Sequence, residues 1–359
     1  MPVTKRSAIL AAALGAIVLG ALPAHSVERF RPPSEVLREP ANVFALGKAI
    51  ERLDPAGVRF EVVNLYSDER VAELPEAPQS EHEAPADVGP ERDHANRQFD
   101  VRVGVEADVK VGRTYMIGIT RFLRSRFPQP KWRLDPEGYR LVELPVVGHA
   151  IFNRSPDLEF LLTVPADTSE WAPRKTLDPI LRLLRGSPIA DRRVAALELL
   201  FQPQLGEGLT AKEIGLLRSV IEDESGDPVV RDYLLQATAL FPGDQEPDWV
   251  ADSARGILRC ARLQVELGSA IASFQHTTLR ILKDRGGPED LDLAARLLRS
   301  ASPGVTLSAL QTMEALEPKG AVEEARAALS VVGLPEQSRR YIESFLRRAE
   351  HNSDQNKND

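Results

Sequence analysis

Cysteine is almost absent: the chain has one, Cys260, in 359 residues. A lone thiol excludes an intramolecular disulfide, so stability must come from apolar cores. Cys260 stands in an apolar helical context and is expected to be a small buried hydrophobe. Histidine is also scarce, with six in all. Neither His-Glu-x-x-His nor Asp-x-Asp-x-Asp-Gly occurs, so no zinc-protease helix and no EF-hand loop is encoded. The Gly-x-Ser-x-Gly elbow and the Gly-Lys-Ser/Thr phosphate loop are missing too. The residues therefore specify no catalytic set, no metal site and no cofactor. Long apolar runs are lacking except at the start.

That start is Met-Pro-Val-Thr-Lys-Arg, an uncharged apolar run over 8–23, and then Ala24-His25-Ser26. A basic stretch, a short apolar run and small residues two apart predict a signal peptide, 1–26, cleaved after Ser26. An uncleaved anchor is the competing assignment, but the run is short for a full span. Export to the periplasm or the extracellular space follows as an expectation. Cleavage would remove Lys5 and Arg6 and take the formal charge from −8 to −10. An acidic chain repels phosphate backbones, so nucleic acid is a poor partner. Membrane contact is expected only through the signal segment.

Residues 27–40 read as an N-terminal extension. From 41 to 164 apolar and polar residues alternate with period two, punctuated by glycine. Residues 42–50 and 58–66 flank Asp54-Pro55-Ala56-Gly57, a turn sequence, and predict a hairpin. Further strands are predicted over 99–109 and 114–122, on either side of Asp135-Pro136-Glu137-Gly138, and in the closing runs Ala150–Ser155 and Glu159–Val164. Several short antiparallel strands bent at glycine predict a small barrel or sandwich. Between the strands, 68–93 carries nine acidic residues and four prolines. Such a segment, bounded at 68–96, cannot bury enough apolar surface to order itself and is expected to be a disordered insert. Glu81, His82, Glu83, Asp87, Asp93 and His94 in and beside it are the alternative cation or basic-partner contact. Of the other histidines, His149 is the one expected near packed structure, and His276 at a helix surface or repeat contact.

Beyond a linker at 165–176, Leu-Leu-Arg occurs at 183, 216 and 297, with Ile-Leu-Arg at 257. The spacings of 33, 41 and 40 residues suit one helix–turn–helix unit per copy. A fifth unit over 321–349 keeps the form without the arginine. Asp178-Pro179 and Asp227-Pro228 place a capping acid before a first-turn proline, and Thr210–Glu213 reads as a capping box. Apolar residues three and four apart give each helix one stripe, which a neighbouring pair must cover. Helical repeats are thus predicted over 177–350, followed by a disordered tail at 351–359.

Asp227-Pro228-Val229-Val230-Arg231, with Asp191-Arg192-Arg193-Val194 as a near match, resembles the HEAT repeat family over about 171–350. The third and fourth copies depart from it at Gln264-Val265-Glu266 and Gly304-Val305-Thr306. The resemblance implies an α-solenoid whose curved surface binds proteins or peptides. Over 41–164 the order of features resembles the oligonucleotide/oligosaccharide-binding (OB) barrel as used in secreted netrin-like domains, which implies a binding or docking module. The predicted fold is therefore a small antiparallel barrel or sandwich followed by a HEAT-like solenoid.

Arg192, Arg193, Arg231, Arg339 and Arg340 are the candidate partner-binding residues, as a basic strip on the second helices. The competing assignment gives them to Asp–Arg contacts between repeats or to solvated surface. The expected function is an exported, non-catalytic scaffold or adaptor for an extracytoplasmic protein. The alternative is a glycan- or peptide-binding, or hydrolytic, β-domain on a helical platform. It would use unplaced carboxylates and Trp132, Tyr139 and Trp171 as a stacking surface; core packing competes for those aromatics. An envelope subunit making only lattice contacts is the third reading.

Overall fold

The computed structural model describes residues 31–39, 42–54, 56–66, 98–103, 108–121, 139–163, 173–242 and 248–355. The proposed signal segment, the acidic insert, Trp132 and Trp171 lie outside the described residues. Two compact units are present, one over 31–198 and one from 199 onward.

The first unit is built on β1 (Asn42–Asp54), β2 (Gly57–Leu65), β3 (Gln98–Arg102), β4 (Thr114–Arg121) and β5 (Tyr139–Leu141). Their order is β1-β2-β3-β5-β4, and β1 also pairs with β4, which closes a five-stranded barrel. All pairings are antiparallel except β3 with β5. Closure removes the unpaired edges that an open sheet would expose. The β1–β2 hairpin turns where expected: Asp54 opposes Gly57, and the Asp54 carboxylate accepts the Ala56 N–H at 2.7 Å. Val43, Ala45, Val58, Phe60, Val101, Tyr115, Ile117 and Ile119 alternate inward and fill the core. Tyr139 belongs with them, meeting Phe99 edge to face at 5.0 Å.

A short strand, β8 (Ile151–Asn153), shares with β5 the same edge of β4, and a small hairpin, β6 (Glu143–Leu144) and β7 (Gly148–His149), connects them along the chain. His149 is exposed there, against the expectation of packed surroundings, while Leu144 on the other strand of the hairpin takes the buried position. At the junction, Gly118 donates to Ala150 O and accepts from Val142 N, both at 2.8 Å. A Cβ on Gly118 would lie 2.3 Å from the Leu37 side chain and 2.9 Å from that of Ala150, so only glycine fits.

Leu37 comes from α1 (Pro33–Leu37), which packs on β1. This explains why Phe44 and Met116 are buried alongside the inward residues. Glu159–Thr163, expected as a strand, belongs instead to α2 (Pro156–Thr163). Pro156 suits a helix start, and Leu158, Leu161 and Leu162 share one buried face at helical spacing. Next come α3 (Pro173–Gly186) and α4 (Ile189–Phe201). Asp178-Pro179 does not begin α3 but lies inside it, where burial of Pro179 with Leu177 and Ile180 outweighs the lost backbone bond.

Polar ties join the barrel to these helices. Tyr66 OH donates to Glu159 at 2.6 Å, and Arg154 pairs with the other Glu159 oxygen at 3.1 Å. Burial and that bond push Tyr66 up to about 12, and the Tyr66 hydroxyl holds Glu159 below its ordinary value. Asp157 receives Arg182 of α3 at 2.6 Å.

The second unit contains α5 (Ala211–Glu222), α6 (Pro228–Ala239), α7 (Trp249–Arg259), α8 (Ala270–Arg285), α9 (Leu291–Arg296), α10 (Pro303–Leu316), α11 (Pro318–Leu329) and α12 (Glu336–Gln355). Consecutive helices pair as α5–α6, α7–α8, α9–α10 and α11–α12. The first helices also touch along a row, α5–α7–α9–α11, and the second helices along another, α6–α8–α10–α12. Each apolar stripe is therefore covered by the next pair, as the sequence pattern requires. Thr210 and Glu213 form the capping box, and Asp227 caps α6 with Pro228 in its first turn. Cys260 is exposed rather than buried, because α7 ends at Arg259 and residue 260 falls outside its apolar stripe. A hydrogen bond with Glu224 raises its thiol above the ordinary value. Among the described residues no helix is long and apolar enough to cross a membrane.

Candidate functional site: the second-helix row

The row α6–α8–α10–α12 is joined by side chains that replace apolar residues at its seams. Ser273 of α8 donates to the Asp232 carboxylate of α6 at 2.7 Å. His276 of α8 meets the Ser308 hydroxyl of α10 through Nδ1. Thr312 of α10 donates to Leu279 O at 3.0 Å, and the Thr306 and Ser338 hydroxyls link α10 to α12 at 3.0 Å. Polar groups buried at a seam need partners in fixed positions, so they set the register of one helix on the next.

Asp232 is the most demanding of these groups, at 4% exposed. Burial raises its pKa, while donors from Thr277, Gln236 and Ser273 oppose the shift. The Gln236 amide donates to its second oxygen at 2.9 Å. One turn apart on α8, His276 and Arg280 both respond to Asp232, and burial lowers the pKa of each. Arg280 adds to the shift of His276, while Asp232 and Asp284 partly offset that of Arg280.

Arginines cap the helix ends. Arg231 donates to Ile221 O at 2.8 Å and lies over the Phe274 ring, 4.6 Å from its centroid. Arg339 donates to Leu329 O at 3.3 Å. Both reach back ten residues to the last turn of the preceding helix, where unpaired carbonyls carry partial negative charge. Arg285 of α8 donates to Ala239 O at the end of α6, and Arg296 of α9 to Leu258 O in the last turn of α7 and to Ala261 O just beyond it. Arg340 instead pairs with Glu336 at the surface, at 3.0 Å. Arg192 and Arg193 lie on α4 in the first unit. The Arg192 Nε is buried without a hydrogen bond, and Arg193 donates to Val146 O at 3.1 Å. Two of the five arginines, Arg231 and Arg339, thus occupy matching capping positions.

His276 makes the repeat contact expected of it, whereas Asp232, Arg280 and the partners of all three lie outside the apolar stripes that the sequence pattern follows. The signal in the sequence is the spacing: Asp232 with Gln236, Ser273 with Thr277 and His276 with Arg280 are polar pairs four apart. No family model matches the chain, and no similar curated protein or solved structure was found.

Proposed function

We propose that this chain is an exported, non-catalytic scaffold that holds an extracytoplasmic protein along its second-helix row, in the manner of HEAT repeats. The observation that carries the reading is the continuity of that row. Asp232–Ser273, His276–Ser308 and Thr306–Ser338 tie four successive helices together. A surface ordered before binding loses little conformational freedom when a partner arrives, which favours recognition over a broad area. The hairpin repeat and the Asp227-Pro228 start of α6 support the HEAT assignment. The strand order, with β3 and β5 parallel in the closed barrel, supports an OB-type docking module in the first unit. Export rests on the sequence of residues 1–26, and exclusion of nucleic acid on the acidic net charge.

The test uses the mature form, from residue 27, carrying a photo-crosslinking residue in turn at four exposed positions. Gln311 and Arg347 sample the second-helix row, and Lys212 and Arg326 the first. After irradiation in native envelope extract, adducts to one protein are expected from Gln311 and Arg347. Adducts only from Lys212 and Arg326, or from no position, would defeat the proposal.

A further inference from the structure

Arg280 stands apart from the other arginines of the second-helix row. Arg231, Arg285 and Arg339 donate to main-chain carbonyls, Arg340 pairs with Glu336, and Arg347 and Arg348 are exposed. Arg280, though partly buried, makes no hydrogen bond and no ion pair among the described residues. A guanidinium has five N–H donors in a planar fork, and those of Arg280 are not among the buried atoms that lack a partner, so the fork still meets water. Burial of the rest of the side chain disfavours its charge, and one neighbouring group opposes that most. That group is Asp232, whose field acts on Arg280 from α6. The Asp232 oxygens are already taken by Ser273 and Gln236, with Thr277 as a third donor. Asp232 therefore favours the cation without occupying its donors.

Beside Arg280, one turn earlier on the same face of α8, is His276, its Nδ1 engaged by Ser308 of α10. The charged groups acting on this pair are Asp232 from α6 and Asp284 from α8 itself. Ser308, from α10, does not titrate. The cluster thus offers an unengaged planar fork next to an imidazole fixed by a neighbouring helix. A planar acceptor with two oxygens and a single charge matches the fork. A phosphate dianion would meet stronger repulsion from Asp232 and Asp284.

We propose that Arg280, with His276 at its side, forms a carboxylate-binding site on the second-helix row, which takes an acidic side chain or a C-terminal carboxylate of a peptide partner. The proposal deepens the scaffold reading and rests on it for the kind of partner.

The experiment follows the Arg280 Nε–H and His276 ring resonances of the mature chain in 1H–15N spectra. Arg280→Lys and His276→Asn provide the assignments. Sodium acetate is titrated against sodium chloride at constant ionic strength. Two blocked hexapeptides, one with a central glutamate and one with glutamine, follow, and then the glutamine peptide with a free C-terminus. A saturable shift with acetate is expected, with at least tenfold tighter binding of a carboxylate-bearing peptide than of the blocked glutamine peptide. The preferred peptide tells side chain from terminus. Arg280→Gln should abolish the shift at His276 while the fold, followed by circular dichroism, is retained. If Arg280→Gln fails to fold, Arg280→Lys gives the reading, since it keeps the charge and should lose at least fivefold in affinity through loss of the fork. Equal shifts with chloride and acetate, or undiminished binding in the variant, would overturn the site. Crosslinking from Gln311 and Arg347 that persists in such a case would leave the scaffold reading standing.

Discussion

Glu198 accepts both the backbone N–H and the hydroxyl of Ser34, one on each carboxylate oxygen, at 2.8 and 3.0 Å across 164 residues of sequence. Glu198 is 1% exposed, on α4, and Ser34 lies in the first turn of α1. The carboxylate therefore pins the segment before the barrel to the helices after it. Arg38 also feels its charge, which opposes the lowering of the Arg38 pKa by burial. Glu198→Gln keeps the shape and loses the charge; it should cost about 1–2 kcal/mol. Glu198→Ala should cost about 3 kcal/mol or more, because Ser34 and Arg38 are then left without their anion. Urea unfolding at constant slope measures both; equal midpoints for the variants and the parent chain would refute the pin.

Asp191 is 4% exposed, without a hydrogen-bond or ion-pair partner among the described residues, and burial raises its pKa to about 6. In the unfolded chain an aspartate titrates near about 4. Between those values the native state holds the extra proton, so this group's contribution to stability falls as pH rises from about 4 to about 6. Above that window the cost is complete, with an upper bound of about 3 kcal/mol. Asp191→Asn should therefore stabilise the protein at pH 7.5 and leave it unchanged at pH 4. A gain of the same size at both pH values would contradict the assignment.

Gly118 and Leu37 make a double-mutant cycle. Gly118→Ala puts a methyl 2.3 Å from the Leu37 side chain and should cost about 2–3 kcal/mol. Leu37→Ala, at a site 0% exposed, should cost about 2–4 kcal/mol. Together they should cost at least about 1 kcal/mol less than their sum, because the smaller residue 37 makes room for the methyl. Strict additivity would mean that the collision lies elsewhere.

The arginines should separate by role. Arg231→Ala loses the bond to Ile221 O and the ring contact with Phe274 and should cost about 1.5–2.5 kcal/mol. Arg339→Ala, with the longer 3.3 Å bond to Leu329 O, should cost about 1 kcal/mol. Arg340→Ala, whose pair with Glu336 is exposed, should change stability by less than about 0.5 kcal/mol. Thermal unfolding of the three variants gives the order. A larger loss for Arg340 than for Arg231 would reverse the structural assignment.

The periods of the sequence determined the two kinds of architecture. Alternation over 42–66 places Phe60 inside a strand-built core, and leucines three and four apart make each later helix dependent on the next. Local chemistry was equally legible at Thr210 and Asp227, because a cap involves only neighbours in sequence. Where a short apolar run suited both periods, as at Glu159–Thr163, only packing chose the helix. The same holds for Pro179, which a local rule places at a helix start and a buried face places inside one. The tertiary structure alone brought Ser34 to Glu198 and Asp232 to Ser273. No local preference encodes those meetings: each depends on how whole elements stack, and a buried polar group finds its partner only once the stack exists.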